Sequence, residues 1–293
     1  AIMAGLKYLF YSLCGAYMAL FGIFFIADSG IFSFEEGTYI GSAFTSDGGM
    51  TLFNVCLLLL IMGFGVKAGM FPMHAWLTSA HPVAPAPASA ILSAVIVKAG
   101  VLGIIRTVNN VYGNEYVKGS PVQYIWMVIT LITVFMGSML AFREDVLKKR
   151  LAYSTVSQVS YILFGLASFT EISYKGAILQ VAAHGIVKAG LFLCAGAIIY
   201  KTGKTRVSEL KGIGRQMPVT MVCFTILSLS LIGIPPLGGF VSKWYLAVGS
   251  LNGNAGIMNW LGPVILLVSA LLTAGYLLPV SMRGFFPGNT PFK

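Results

Sequence analysis

The chain has 293 residues, of which 57% are hydrophobic and 10% charged, with a mean hydropathy of +0.85. Soluble domains carry roughly 25% charged residues, so a soluble enzyme is excluded. The excess of 19 Lys and Arg over 9 Asp and Glu gives a net charge of +10, but so apolar a chain has no solvated face to offer nucleic acid, and the question becomes where the cations sit.

A helix that crosses a hydrocarbon core of about 30 Å needs about 20 apolar residues, and eight stretches qualify. The first, residues 5–27, follows Ala1 rather than a Met and lacks the pattern of a signal peptide. That start predicts a fragment of a longer subunit. Residues 51–80 would form a helix of about 45 Å, too long for one crossing and too short for two, with Pro72 inside it. Residues 88–106, 122–142, 151–169 and 175–200 are ordinary spans. Residues 217–249 are again overlong, interrupted at 233–239 by GIPPLGG, which holds Pro235, Pro236, Gly238 and Gly239, and residues 262–281 close the series.

All eight runs are apolar on every face and none alternates as a barrel strand does, which predicts an all-α polytopic transmembrane bundle of about eight spans, two of them discontinuous. No linker divides residues 1–293, so one transmembrane domain is expected. Proline removes a backbone donor and breaks a helix. Backbone freed at membrane depth survives only where protein buries it or water reaches it. Two such interruptions point to an inverted-repeat transporter; packing kinks are the plainer alternative.

Counting Lys and Arg at the span ends orients the chain in a membrane. With the amino terminus inside, one face takes Lys7, Arg143, Lys148, Lys149, Arg150, Lys201, Lys204, Arg206, Lys211, Arg215, Arg283 and Lys293, and the other only Arg106, Lys118 and Lys175. Asp28, Glu35, Glu36, Asp47, Glu115 and Glu171 fall on that second face. An integral, multi-pass protein of a prokaryotic cytoplasmic membrane is expected.

Four cations stay inside the spans: Lys67, Lys98, Lys188 and Lys243. A charge at mid-bilayer costs at least ~2.5–3.5 kcal/mol, which marks it as functional unless it snorkels. Lys67 precedes the first break and Lys243 follows the second. His184 and Lys188, four apart, share a helix face. His74 falls seven beyond Lys67, on roughly its face if the helix continued, and His81 closes the segment. Burial disfavours the charged form of such groups, so they can gain and lose protons in use, as a relay requires; helix-packing histidines are the alternative. No Asp or Glu lies well inside a span, so either some lysines are neutral or an acidic partner comes from elsewhere. Cys14, Cys56, Cys194 and Cys223 lie singly in apolar runs and suit neither a metal site nor a disulfide framework. Neither a dinucleotide fingerprint nor a haem-ligand set is present, so no cofactor and no metal is expected in this chain.

The stretch KAGMFPMHAWLTSAH at 67–81, followed by PVAPAPASA and the helix bearing Lys98, resembles the hallmark of the proton-conducting antiporter-like family. That family holds the L, M and N type subunits of respiratory complex I, Mrp-type cation/proton antiporter subunits and the membrane subunits of energy-converting hydrogenases. LAYSTVSQVSY at 151–161, HGIVKAGLF at 184–192 and GIPPLGGFVSK at 233–243 are similar to its later motifs, in the same order.

The resemblance implies two inverted five-helix repeats, each with a broken helix. It implies a proton path from Lys67 through Lys98 and the His184/Lys188 pair to Lys243, in either direction, with His74 and His81 as further candidates. Lys67 would pair with a glutamate on an earlier helix, which this sequence lacks. The implied protein is a subunit of a proton-translocating oxidoreductase of the NADH:quinone type, with other membrane subunits and peripheral redox subunits as partners. A Mrp-type Na+/H+ antiporter subunit is the nearest alternative. A non-pumping scaffold, anchoring partners through basic loops 143–150 and 201–215, is a third.

Overall fold

The computed structural model describes residues 2–28 and 47–286; Glu35, Glu36 and Lys293 of the charge tally lie outside them, as do the side chains of Asp28 and Asp47. It is a helical bundle. Helix α1 (Ile2–Asp28) packs antiparallel to α2 (Asp47–Ala68), and a turn at 69–74 leads to the short α3 (Ala75–Val83). The next span is continuous in path but mixed in winding: α4 (Ala86–Ile91), a π segment Leu92–Ile96, α5 (Val97–Arg106) and a second π segment Thr107–Tyr112. After α6 (Asn114–Val117) come α7 (Pro121–Arg143), α8 (Leu147–Ala167) and α9 (Glu171–Thr202), then α10 (Ile213–Gln216), α11 (Pro218–Ile232), α12 (Gly238–Leu251) and α13 (Met258–Phe285).

Local chemistry sets several boundaries. Ser120 caps α7 by accepting from Gln123 N–H, with Pro121 in the first helical position where its missing donor costs nothing. Thr170 caps α9 through Ser173 N–H, and Gly203 ends it in the left-handed conformation.

Six described helical segments are long and apolar enough to cross a membrane. The expected run at 151–169 is not among them, because α8 carries Ser154, Thr155, Ser157, Gln158, Ser160 and Tyr161. Every residue from 154 to 168 is buried. With α7, α9, α3 and α13 around it, α8 meets little lipid, and its polar groups pair inside the bundle. The run at 217–249 divides into α11 and α12, each about 22 Å long and too short to cross alone.

Protein groups satisfy the backbone at both interruptions. Gly69 turns the chain with φ +79°, the Trp76 indole donates to Val66 O at 2.8 Å, and Phe71 N–H donates to Thr133 Oγ1 at 3.1 Å. At the second, Gly233 has φ +94°, Gly238 and Gly239 begin α12, and a Cβ on Gly239 would collide with Ser230 O. The peptide bonds before Pro72 and Pro236 are cis.

Two sets of connections separate at opposite ends. At the basic end Leu147 N–H donates to Thr205 O, Val207 N–H to Asp145 O, and Gly212 N–H to Arg283 O. At the other, Gln123 Nε2 donates to Ala167 O and Thr170 Oγ1 to Gly249 O. Lys175 pairs with Glu171 there at 2.6 Å.

Candidate functional site

The centre of the bundle is organised by one stripe of α9. Gln180, His184, Lys188 and Phe192 follow at four-residue steps, so they stack along one face. Gln180 is 1% exposed, His184 1% and Lys188 0%.

Lys98 reaches this stripe from the neighbouring span. Its Nζ stands 2.7 Å from His184 Nδ1 and donates to Ser93 O at 2.6 Å. Ser93 sits in the π segment, five residues before the lysine. Two positive charges at that separation would repel by about 6 kcal/mol at an effective dielectric of about 20. Simultaneous positive charge on both groups is disfavoured accordingly.

A separate set of hydroxyls and a carbonyl surrounds Lys188. Ser93 Oγ lies 2.7 Å from Thr155 Oγ1, and Thr155 Oγ1 donates to Leu151 O at 3.0 Å. Lys188 Nζ donates to the same carbonyl at 2.9 Å and to Ser154 Oγ at 2.7 Å.

Lys243 lies on the other side. Its Nζ donates to Leu231 O at 2.6 Å and Ile232 O at 2.9 Å, capping the broken end of α11 where the helix dipole presents negative charge. Tyr161 lies beneath it, ring centroid at 5.2 Å. An amide bridge ties α12, α9 and α8 together nearby: Ser242 Oγ donates to Gln180 Oε1 at 2.5 Å, and Gln180 Nε2 to Gln158 Oε1 at 2.9 Å. His184 Nε2 and Gln158 Nε2 are buried without a protein partner.

Lys67 is not part of this cluster. Its Nζ turns toward α1, donating to Ser12 Oγ at 2.9 Å and Tyr8 OH at 3.4 Å, 4.9 Å above the Tyr8 ring. The face shared by Lys67 and His74 does not exist, because α2 ends at Ala68 and His74 caps α3 with its ring over Phe71. His81, 0% exposed, stacks on Phe192 at 4.5 Å with both ring nitrogens unpartnered. Lys148, counted above among the cations of the basic face, is 8% exposed and donates to Ala84 O at 2.8 Å. Among the described residues none of the four intramembrane lysines pairs with a carboxylate, and no cluster of His, Cys, Asp or Glu could hold a metal.

Gln158 and Gln180 escaped a search for charges. Their signal was legible nonetheless, since Gln180 lies one helical turn before His184 and Gln158 one turn after Ser154.

Residues 1–276 match the family model described as "NADH:quinone oxidoreductase/Mrp antiporter, TM". The chain is 38% identical over 235 residues to NADH-quinone oxidoreductase subunit N of Desulforudis audaxviator, an alignment covering 80% of this chain and 46% of that protein. It is 35% identical over 228 residues to an NAD(P)H-quinone oxidoreductase chain 4 of Picosynechococcus, covering 77% and 42%. Among solved structures, a chain of the Mrp complex from Dietzia superposes with a TM-score of 0.88 at 27% identity, over 100% of this chain and 52% of that one. A chain of an archaeal membrane-bound sulfane sulfur reductase superposes with 0.85 at 25% identity, over 99% and 57%. The chain thus spans about half the length of the proteins it matches.

Proposed function

Because the chain belongs to the NADH:quinone oxidoreductase/Mrp antiporter transmembrane family, we propose that it is a proton-translocating membrane subunit of a redox-driven multisubunit complex. The observation that carries this is the Lys98–His184 pair, its nitrogens 2.7 Å apart, with the buried Lys188 one turn further along the same α9 face. An N–H bond breaks on one nitrogen as another forms on its neighbour. In the relay Lys67 exchanges a proton at one end, Lys98 and the His184/Lys188 pair pass it, and Lys243 holds it at the other, or the reverse.

The driving force comes from redox chemistry in partner subunits, a reading supported by the identity to quinone oxidoreductase chains. Other membrane subunits flank this one within the bilayer. A second reading, a subunit of a Mrp-type Na+/H+ antiporter, draws on the likeness to the Mrp complex chain. Proton uptake by vesicles with and without sodium separates the two. The relay is tested by Lys67→Met and Lys98→Met in the intact complex: uptake is lost while assembly persists. Wild-type uptake in both variants refutes it.

A further inference from the structure

Beyond the central pair, the α9 stripe continues toward the basic end of the bundle. Phe192 lies one turn past Lys188, and Gly196 one turn past Phe192. His81, in the last turn of α3, stacks its ring on Phe192 at 4.5 Å and 14°. Through Phe192 it sits about one turn of α9 from Lys188. Ala86, just past the α3 end, packs directly on Gly196. Over the same end stands Lys148, whose Nζ donates to Ala84 O. Its neighbour Lys149 has a side chain 38% exposed and pairs with Glu144, as a surface cation should. Lys148 does neither.

A cation that leaves water without a carboxylate partner, and gains one carbonyl in return, needs a reason at that position. So does an imidazole buried with both nitrogens unpartnered, since each such group forfeits the hydrogen bonds it makes in water.

We infer that His81 is the first proton station inside a port to the basic face, and that the Lys148–Ala84 contact is the latch that closes it. This inference rests on the relay proposed above. With the latch shut, His81 is sealed from solvent and the stations at Lys98, His184 and Lys188 are isolated from the basic side. When Lys148 releases Ala84 O, water enters between the end of α3 and the start of α8. A proton then moves from a hydronium at the mouth to a free ring nitrogen of His81, leaving water. It continues through a bridging water to the Lys188 amine once that amine has passed its own proton toward Lys98 and His184, the new N–H bond forming as that on His81 breaks. The reverse sequence serves release. Lys148 touches no reacting atom in this scheme and acts as a positioning residue.

The test uses the complete complex in sealed vesicles of both orientations, with Cys14, Cys56, Cys194 and Cys223 replaced by Ala. Ser89, 0% exposed, donates to His81 O and so marks the chamber. A Ser89→Cys variant treated with a membrane-impermeant methanethiosulfonate is expected to label from the basic face alone. Lys148→Met should raise that labelling rate about tenfold, the lower bound for one hydrogen bond from a charged donor, and Lys148→Arg should restore it. His81→Gln should lower proton uptake at least tenfold. No labelling, labelling from the opposite face, or wild-type uptake in His81→Gln overturns the port. If Lys98→Met loses uptake while His81→Gln keeps it, the port fails and the relay stands; if both keep it, both fail.

Discussion

Lys188→Met separates transport from stability at the most deeply buried cation. The lysine is 0% exposed and makes two hydrogen bonds, to Leu151 O at 2.9 Å and Ser154 Oγ at 2.7 Å. Each bond from a charged donor contributes about 1.5–3 kcal/mol, so their loss costs about 3–6 kcal/mol. Against this, removing an unpaired charge from the interior returns several kcal/mol of desolvation. Leu151 O also keeps its bond from Thr155 Oγ1, and methionine fills the stem's volume, so the two effects nearly cancel. The expected stability change is within about 2 kcal/mol, whereas Lys188→Ala adds a cavity costing about 2–5 kcal/mol.

Transport behaves otherwise. A proton passing the vacated position rests on no basic group and carries the cost of a bare membrane charge, at least ~2.5–3.5 kcal/mol. At 1.4 kcal/mol per factor of ten, proton uptake should fall about a hundredfold. The assay pairs vesicle proton uptake with thermal dissociation of the purified complex. Wild-type uptake in a stably assembled Lys188→Met complex would refute the role assigned to this residue. Loss of assembly in Lys188→Met, but not in Lys188→Ala, would refute the energetic argument.

Other expectations follow from the same geometry. Gly239→Ala drives a Cβ into Ser230 O and should destabilise the second break by at least about 1–3 kcal/mol. Gly238→Ala, where a Cβ meets nothing within 4 Å, should be neutral or slightly stabilising; the yield of assembled complex reports both. Gln180→Leu leaves Gln158 Oε1 without its donor, while Ser242 Oγ keeps Gly239 O, at about 1–3 kcal/mol for the group left unsatisfied; uptake measured beside complex melting should show a loss in both. In the basic loop, burial works to raise the Glu144 carboxyl, but its bonds to Lys149 and to backbone N–H groups outweigh this and hold it below the usual range. Its stabilising contribution is therefore present above the unfolded carboxyl range near pH ~4.3 and lost as pH falls through the lower folded value. For so exposed a pair it amounts to about 1 kcal/mol or less. Glu144→Gln should abolish that acid-side shift in melting temperature.

How much of this was legible without coordinates depends on the kind of signal. Lys98 and Lys188 stood out because a charge in an apolar run is costly wherever the helix goes, and His184 could be set beside Lys188 from helix periodicity alone. Both interruptions were visible because proline and glycine act on their own backbone. Gln158 and Gln180 were invisible to a charge census, since an uncharged amide in a helix is unremarkable until its partner is known. The low hydropathy of α8 follows from the same fact, because a helix enclosed by other helices can carry hydroxyls that lipid would not tolerate. Lys148 lies at the basic end as counted, but its burial was invisible to a tally of cations near span ends. His74 was misplaced because the helix it was projected along stops at Ala68.

The sequence by itself determined that the chain lives in a membrane, which end is basic, where its helices break and which ionisable groups lie at depth. Those properties arise from transfer costs and backbone constraints that act within one segment at a time. Tertiary structure alone decided that Lys98 meets His184 across 86 residues, that Lys67 turns away to α1, that Lys243 caps a broken helix, and that Lys148 reaches Ala84 O. Hydrogen bonds reach only about 3 Å, so which groups can exchange a proton is settled by how the helices pack.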